Sequence, residues 1–326
     1  MNTQLDQILS QNKTVAIIGH INPDGDCFGS MSAIHDYVAT KFDCQIHCFA
    51  ECDTIAEEFK QFTKDIVFNP IKLSHYDTCI CVDTACLSRL GRYMDIFHNS
   101  LHTICIDHHS TNDGFAQINI VNAISSNCEN VYNLLKCANF DLTTSTAGKL
   151  FAGIVTDTNN LSVDTVTKDT YSTVIDLMSK GINTHKIINF FMGSNSMPQY
   201  KLLCLAMNSA KFFNNNTIMV MRITPEQMHE ANAVQEDLNP IVGQAFCQRD
   251  AMCALLITPR NHKTHVSFRA KTGIDVSSLA QRFGGGGHKA AAAFTTAEVT
   301  EEDLQYIIEN LSQQINSLPK QDENIF

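Results

Sequence analysis

The sequence lacks any apolar run approaching the roughly 18 residues needed to cross a bilayer, so no membrane partner is expected. Its opening stretch, MNTQLDQILSQNK, has no basic segment followed by an apolar core, the pattern of a secretory leader, and cytoplasmic placement is the expectation. Thirteen cysteines are present but no CxxC pair: Cys44/Cys48, Cys48/Cys52 and Cys79/Cys81 have other spacings. The count is odd and a chain of 326 residues is too large for a disulfide scaffold. Most of the cysteines lie in apolar, strand-like stretches, which predicts reduced thiols in the core. Basic charge is also scarce, with 23 Lys plus Arg against 34 Asp plus Glu and a formal net charge of −11. Affinity for long nucleic acid rests mainly on phosphate neutralisation, so a long duplex is excluded as a substrate class. A short phosphorylated ligand stays open, because bound metal ions are the strongest local cations a protein can offer.

The chain is 44% hydrophobic and 17% charged, an ordinary globular balance, and is long enough for two domains. It contains no internal repeat. In the first half, apolar runs at 15–20, 45–50, 78–83 and 103–107 alternate with helical patterns at 28–41, 127–137, 143–155 and 168–180. Continuous apolar strands separated by helices predict a mostly parallel sheet flanked by helices. Residues 184–212 read as a helical linker broken at 192–198. A second, smaller α/β block opens with a strand at 217–223 and continues through 251–257 and 264–270. A glycine run follows, then a helix near 300–316 and a frayed tail.

Four motifs carry chemistry. The loop GHINPDGDCFGS (19–30) places His20, Asp24 and Asp26 just after a strand, a donor set suited to a hard divalent cation. Gly25 allows the backbone to bend so that both carboxylates point inward, and Gly29-Ser30 opens the next helix. Read alone, the loop is also what a Pro-Asp-Gly-Asp turn with an unrelated His would give. Asp83 ends the strand 78–82 and would equally serve as a helix N-cap. Asp107-His108-His109 follows the next strand, and Asp157 ends an apolar helix. In open α/β sheets ligands bind beyond the carboxyl ends of strands, where His20, Asp83 and Asp107 all fall. Two His and four Asp side chains match two cations sharing a carboxylate, and paired cations can generate a hydroxide and stabilise in-line displacement at phosphorus. So many unpaired carboxylates would be costly to bury without cations.

These motifs, in this order and at these separations, resemble the DHH phosphoesterase superfamily. The second half, with SFRAK (267–271) and IDVSSLAQRFGGGGHKAAAA (274–293), resembles its associated C-terminal domain. Within it the chain looks like the bacterial nanoRNases, the oligoribonuclease and 3′-phosphoadenosine-5′-phosphate (pAp) phosphatase type. The resemblance implies a catalytic domain over 1–183, the linker, and a substrate-binding domain over 213–326, with catalysis in the cleft between domains. It assigns one cation to His20, Asp24 and Asp83, and the other to Asp26, Asp83, His108 and Asp157, with Asp83 bridging. The cations are expected to be manganese, with magnesium as the alternative. His109 is then a phosphate contact or general acid, and Asp107 a carboxylate that orients a neighbouring His. Cys27, inside the metal loop, reads as a buried bystander because hard cations prefer oxygen.

Gly284, Gly285, Gly286 and Gly287 can form an anion-binding nest of N–H groups, or a flexible linker. His288 and Arg269 supply cationic donors for the same substrate phosphate. The sequence departs from the family at Ala293, where Gly is usual, and at Asn159, which follows Thr-Asp-Thr where Gly is frequent; Asn is at ease in the left-handed region. Ser126 to Glu129 reads as a capping box. The resemblance implies hydrolysis of two- to five-nucleotide single-stranded RNA to mononucleotides, with pAp to AMP as a second activity. The alternatives are a cyclic-dinucleotide or pApA phosphodiesterase, an inorganic pyrophosphatase, disfavoured by the glycine–His run, and a non-enzymatic nucleotide sensor. A homodimer is the candidate assembly.

Overall fold

The computed structural model describes residues 4–52, 55, 59–192 and 196–319. The chain forms two compact units, Met1–Ser194 and Asn195–Phe326. In the first, the helix α1 (Gln4–Leu9) precedes β1 (Thr14–Ile18), α2 (Gly25–Lys41), β2 (Gln45–Phe49) and the short α3 (Lys60–Thr63). Then come β3 (Tyr76–Val82), a 3-10 segment Leu87–Tyr93, α4 (Met94–His98), β4 (Ser100–Asp107) and β5 (Ile118–Val121). The unit closes with α5 (Asn127–Cys137), α6 (Thr144–Asp157), α7 (Lys168–Ser179) and α8 (Thr184–Met192).

The five strands form one parallel sheet in the order β2-β1-β3-β4-β5. Strand side chains alternate between faces. Ile17, Ile80, Val82, Ile104 and Ile106 pack on one face against Ile34 and Tyr37 of α2, Val131 of α5 and Leu150 of α6. Ala16, Ile18, Cys79, Cys81 and Cys105 pack on the other against Leu90, Ile96 and Phe97. Burial on both faces is why the strands read as unbroken apolar runs. It also explains the cysteines: none of the 13 is in a disulfide, and three of them fill the tight second face as small hydrophobes.

Chain order reverses between β1 and β3, so the loops after those two strands diverge and leave a crevice, the usual ligand position of such sheets. The strand β5 carries no sequence signal of its own. It is four residues long and half exposed, and it is held at the sheet edge by pairing with β4 on one side and by Asn130 Nδ2 donating to Ile120 O at 3.0 Å.

The second unit contains α9 (Met197–Asn208), β6 (Lys211–Phe213), β7 (Ile218–Arg222), α10 (Pro225–Ala231) and α11 (Ile241–Ala245), with a 3-10 turn Gln235–Leu238 before α11. It continues with β8 (Cys253–Arg260), β9 (Lys263–Ala270), α12 (Val276–Arg282), β10 (Gly286–His288), β11 (Ala291–Thr296) and α13 (Glu301–Ser317). Its sheet is mixed, ordered β10-β11-β9-β8-β7-β6, and only β7 and β8 run parallel. The stretch 184–212 therefore contains two helices, one in each unit. Ser196 caps α9 through Gln199 N–H, with Pro198 in its first turn, while 193–195 of the expected break lie outside the described residues. The expected frayed tail likewise lies outside them from 320 onward. Among the described residues no helix is long and apolar enough to cross a membrane.

Candidate metal centre

The helix α2 begins at Gly25, three residues before the start expected at Phe28. Asp24 is its N-cap, accepting from the N–H groups of Asp26 and Cys27 at 3.1 Å each. Gly25 is needed for space and not for a left-handed turn: a Cβ there would lie 2.3 Å from Thr156 Oγ1 of α6. Gly29 opens no helix either. It sits inside α2, where a Cβ would meet Cys128 Sγ at 2.7 Å and Lys149 O at 2.9 Å.

This close packing brings the N-terminus of α5 against Asp26. Asn127 N–H donates to Asp26 Oδ2 at 2.5 Å and Cys128 N–H to Oδ1 at 2.7 Å. Two donors and the positive end of a helix fix the carboxylate. The start of α5 differs from the expected capping box. Ser126 does accept from Glu129 N–H, but the Glu129 carboxylate takes Ser125 and Thr170 hydroxyls instead of reciprocating.

Asp83 follows β3 in the left-handed region, φ 55°, which Asp tolerates better than most residues. The conformation sets its carboxylate between two imidazoles. His20 Nε2 lies 3.5 Å from Asp83 Oδ2 and 4.0 Å from Asp24 Oδ1. His108 Nε2 lies 3.4 Å from Asp83 Oδ1, 3.7 Å from Asp157 Oδ2 and 3.9 Å from Asp26 Oδ2. Each ring is aimed from behind by a backbone carbonyl, Ile21 O at 2.9 Å from His20 Nδ1 and Ile124 O at 3.2 Å from His108 Nδ1. Asp157 is the last residue of α6, where the helix dipole disfavours a carboxylate. The left-handed Asn159, φ 46°, turns the chain away immediately afterwards, so the geometry usual for Gly is kept.

Asp107 is buried and accepts from His109 Nδ1 at 2.7 Å and Asn112 Nδ2 at 2.7 Å. It therefore holds the His109 ring and does not face His108 Nε2. Among the described residues, three groups keep their donor atoms within 4.8 Å of one another: His20/Cys27/Asp83, Asp83/His108/His109 and Asp26/His108/Asp157. Asp24, its side chain 58% exposed, stands at the rim of the cluster, and Cys27 is buried beside His20 and Asp83.

Charge explains what this crowding needs. Burial and then the Asp83 charge push Asp26 up to about 7. Burial and then Asp26 push Asp157 well above the carboxylate range. Burial works against ionised His108, but Asp83, Asp26 and Asp157 outweigh it and raise the ring to about 11. Asp83 is held low despite burial by His108 and His20. Its Oδ1 is nonetheless a buried oxygen without a hydrogen bond. Separations of 3.4–3.9 Å are long for hydrogen bonds. They are near the roughly 3–3.5 Å between ligand atoms that each lie about 2.1 Å from one cation. The donor set, two imidazoles among four carboxylates, fits hard divalent cations.

The first unit matches the model of the DHH family, N-terminal domain, over residues 14–155, and the second matches the DHHA1 domain over residues 215–317. The chain belongs to the DHH phosphoesterase family. Membership places it among the hydrolases of phosphate esters. The bifunctional oligoribonuclease and PAP phosphatase NrnA of Thermus thermophilus is 26% identical over 288 residues, 86% of this chain and 83% of the relative. The protein of the same name from Bacillus subtilis is 22% identical over 313 residues, 93% of this chain and 96% of the relative. The crystal structure of an exopolyphosphatase-related protein from Bacteroides fragilis shares the fold, with a TM-score of 0.85 at 21% identity over 95% of this chain and 94% of that one.

The second unit arranges its expected substrate residues on one sheet. Ala254, Arg269, Ala291 and His288 lie opposite one another on β8, β9, β11 and β10, and so share a face. A cavity of about 400 Å³ opens on that face, lined by Arg269, Ser267, His265, Gly286, the turn residue Asn239 and Val242 of α11. Half-buried, Arg269 loses hydration, which lowers its pKa, and it spends one donor on Phe268 O at 2.8 Å. The glycine run is not a free loop. Gly286 and Gly287 pair with Ala293 and Ala292 as an edge strand. Gly284 at φ 76° makes the turn into that strand, and at Gly285 a Cβ would lie 2.1 Å from Ala293 O. His288 is exposed and two strands from Arg269, about 10 Å at the usual strand spacing.

A pH dependence follows for the metal-free protein. Asp26 holds its proton more tightly folded than unfolded, so that stability is full below its ordinary pKa of 3.8 and is lost as pH rises towards 7. Asp157 acts in the same direction. The His108 contribution is full below 6.5 and lost as pH rises towards 11. Asp83 works oppositely, its share being lost only as pH falls below 3.8. Cations replace the protons. The stabilisation gained on adding a fixed concentration of Mn²⁺ to chelator-treated protein, read as a rise in Tm, should therefore grow from pH 5 to pH 8, reaching about 2.7 kcal/mol where the metal stands at a hundredfold excess over Kd. Scanning fluorimetry across that range checks it, and a gain that is flat or shrinking with pH contradicts this electrostatic account.

Proposed function

We propose that the protein is a dinuclear metal-dependent phosphodiesterase that hydrolyses short oligoribonucleotides to mononucleotides and pAp to AMP. The observation that carries this reading is the Asp83 carboxylate, one oxygen facing His20 and the other facing His108. His20, Asp24 and Asp83 would hold one cation, and Asp26, Asp83, His108 and Asp157 the second, Mn²⁺ or Mg²⁺. Bound there, the pair would lower the pKa of a water and offset phosphate charge. Asp107 takes the Nδ1 hydrogen of His109 and so fixes the ring. The His109 Nε2 is then the nitrogen that can contact a phosphate oxygen or pass a proton to the leaving oxygen. Arg269 and the N–H groups of the glycine strand bind a substrate phosphate, and the cavity beside them has room for a nucleoside. NrnA relatives named for both activities support the choice of substrate.

A panel of pAp, pApA, a cyclic dinucleotide, pyrophosphate and RNA trimers, each with Mn²⁺, tests the proposal. RNA trimers and pAp should be turned over fastest. A preference for pApA or the cyclic dinucleotide would reassign the substrate. Tight nucleotide binding with no turnover of any member would favour a sensor.

A further inference from the structure

We propose that Arg89 is a phosphate-binding residue of the metal centre, donating to an oxygen of the scissile phosphate on the His20 side. Its motif is a plain Leu-Ser-Arg-Leu-Gly in the 3-10 segment after Asp83, with nothing in the sequence to mark it. The fold fixes it there. Ile21 N–H donates to Arg89 O at 2.9 Å, tying the metal loop to this segment, and Asn22 N–H donates to Glu51 O at 2.8 Å, tying it to the chain after β2. Gly91 turns the chain at φ 56°, where a Cβ would lie 1.9 Å from Glu51 Oε2. Glu51 also accepts from Arg92 N–H at 2.5 Å and pairs with the Arg92 guanidinium at 3.6 Å. Arg92 is thereby committed to structure. Among the described residues Arg89 has no such carboxylate.

What Arg89 has instead is His20. Its Nη2 lies 3.0 Å from His20 Nδ1, and the same Nδ1 lies 2.9 Å from Ile21 O. One ring nitrogen cannot serve both neighbours. Facing a guanidinium it must accept; facing a carbonyl it must carry the hydrogen. Nε2 points at Asp83 and Asp24. Once Nε2 is a ligand, the only hydrogen of the neutral ring sits on Nδ1 and goes to Ile21 O. Arg89 is then released from His20 at the edge of the metal centre, exposed, with a planar fork of N–H donors that matches a phosphate. This inference rests on the reading of His20 as a metal ligand.

The test uses binding and not turnover. Inorganic phosphate and AMP are titrated calorimetrically into the Mn²⁺-loaded protein, and Mn²⁺ binding is followed separately by electron paramagnetic resonance. Arg89→Ala should weaken both anions by roughly tenfold to a hundredfold, with Arg89→Lys in between, and leave both Mn²⁺ sites within about twofold of wild type. Unchanged anion affinity in Arg89→Ala overturns the inference. So does a parallel loss of one Mn²⁺ site, which would make Arg89 a support for His20. His20→Ala separates the two levels of the argument. If it keeps both Mn²⁺ sites, the metal reading itself fails. If it loses one while Arg89→Ala is silent, only the role of Arg89 fails.

Discussion

Asp83→Asn is expected to lower kcat/KM on RNA trimers by at least about 10³-fold, equal to about 4 kcal/mol of transition-state stabilisation. The reason is position. Asp83 is the one carboxylate within 4 Å of both His20 and His108 among the described residues, so it is the group that can serve both proposed cations. An amide has one neutral acceptor oxygen and cannot bridge two cations as a carboxylate does. The fold should survive. Asn matches Asp in size, and the left-handed φ of 55° suits Asn at least as well. Removing a buried negative charge also relieves Asp26 and Asp157, both of which it pushes up. Metal content by mass spectrometry should fall below two per chain while the circular dichroism spectrum is unchanged. Wild-type turnover with two metals retained would end the bridging model.

Arg269→Ala should cost about 1.5–3 kcal/mol in kcat/KM on short RNA, the usual worth of a charge-assisted hydrogen bond, with metal content untouched. Arg269 is a desolvated cation facing a cavity of about 400 Å³ in a chain of net charge −11. A cavity of that size holds about one nucleotide, and each further nucleotide meets an acidic chain. The wild-type kcat/KM should accordingly fall as RNA lengthens from three to 24 nucleotides at fixed salt. Equal rates on both lengths, or a silent Arg269→Ala on every substrate, would place substrate capture elsewhere.

The first of these variants stands at a position that the sequence marked for a physical reason. A strand buried on two faces is a continuous apolar run, so the carboxylate that interrupts it must lie at its end, as Asp83 and Asp107 do. The alternation of such runs with helical patterns is enough to predict the parallel sheet. Inside the second unit the signal is weaker. In β11, Ala-Ala-Ala-Phe-Thr-Thr has little strand propensity, and it becomes a central strand through pairing with β9 on one side and the glycine edge on the other. For the same reason the glycine run suggested a nest, where the structure has an edge strand that only glycine can bring so near Ala293.

The sequence by itself determined the inventory: which acids and imidazoles exist, and that they fall at the ends of apolar elements. Period and local chemistry encode that much, because burial acts residue by residue. Only the tertiary structure decided which atoms meet. That α5 offers two N–H donors to Asp26, over a hundred residues away, depends on glycines at 25, 29 and 153 that leave room for three helices to converge. That Asp107 turns to His109 while His108 turns to three other carboxylates depends on where Ile124 O and Asn112 lie. That Arg89 and not Arg92 stands beside His20 depends on Glu51, which no spacing rule connects to either. Contacts between residues far apart in the chain are set by shape and by competition for hydrogen-bond partners, and neither quantity has a period in the sequence.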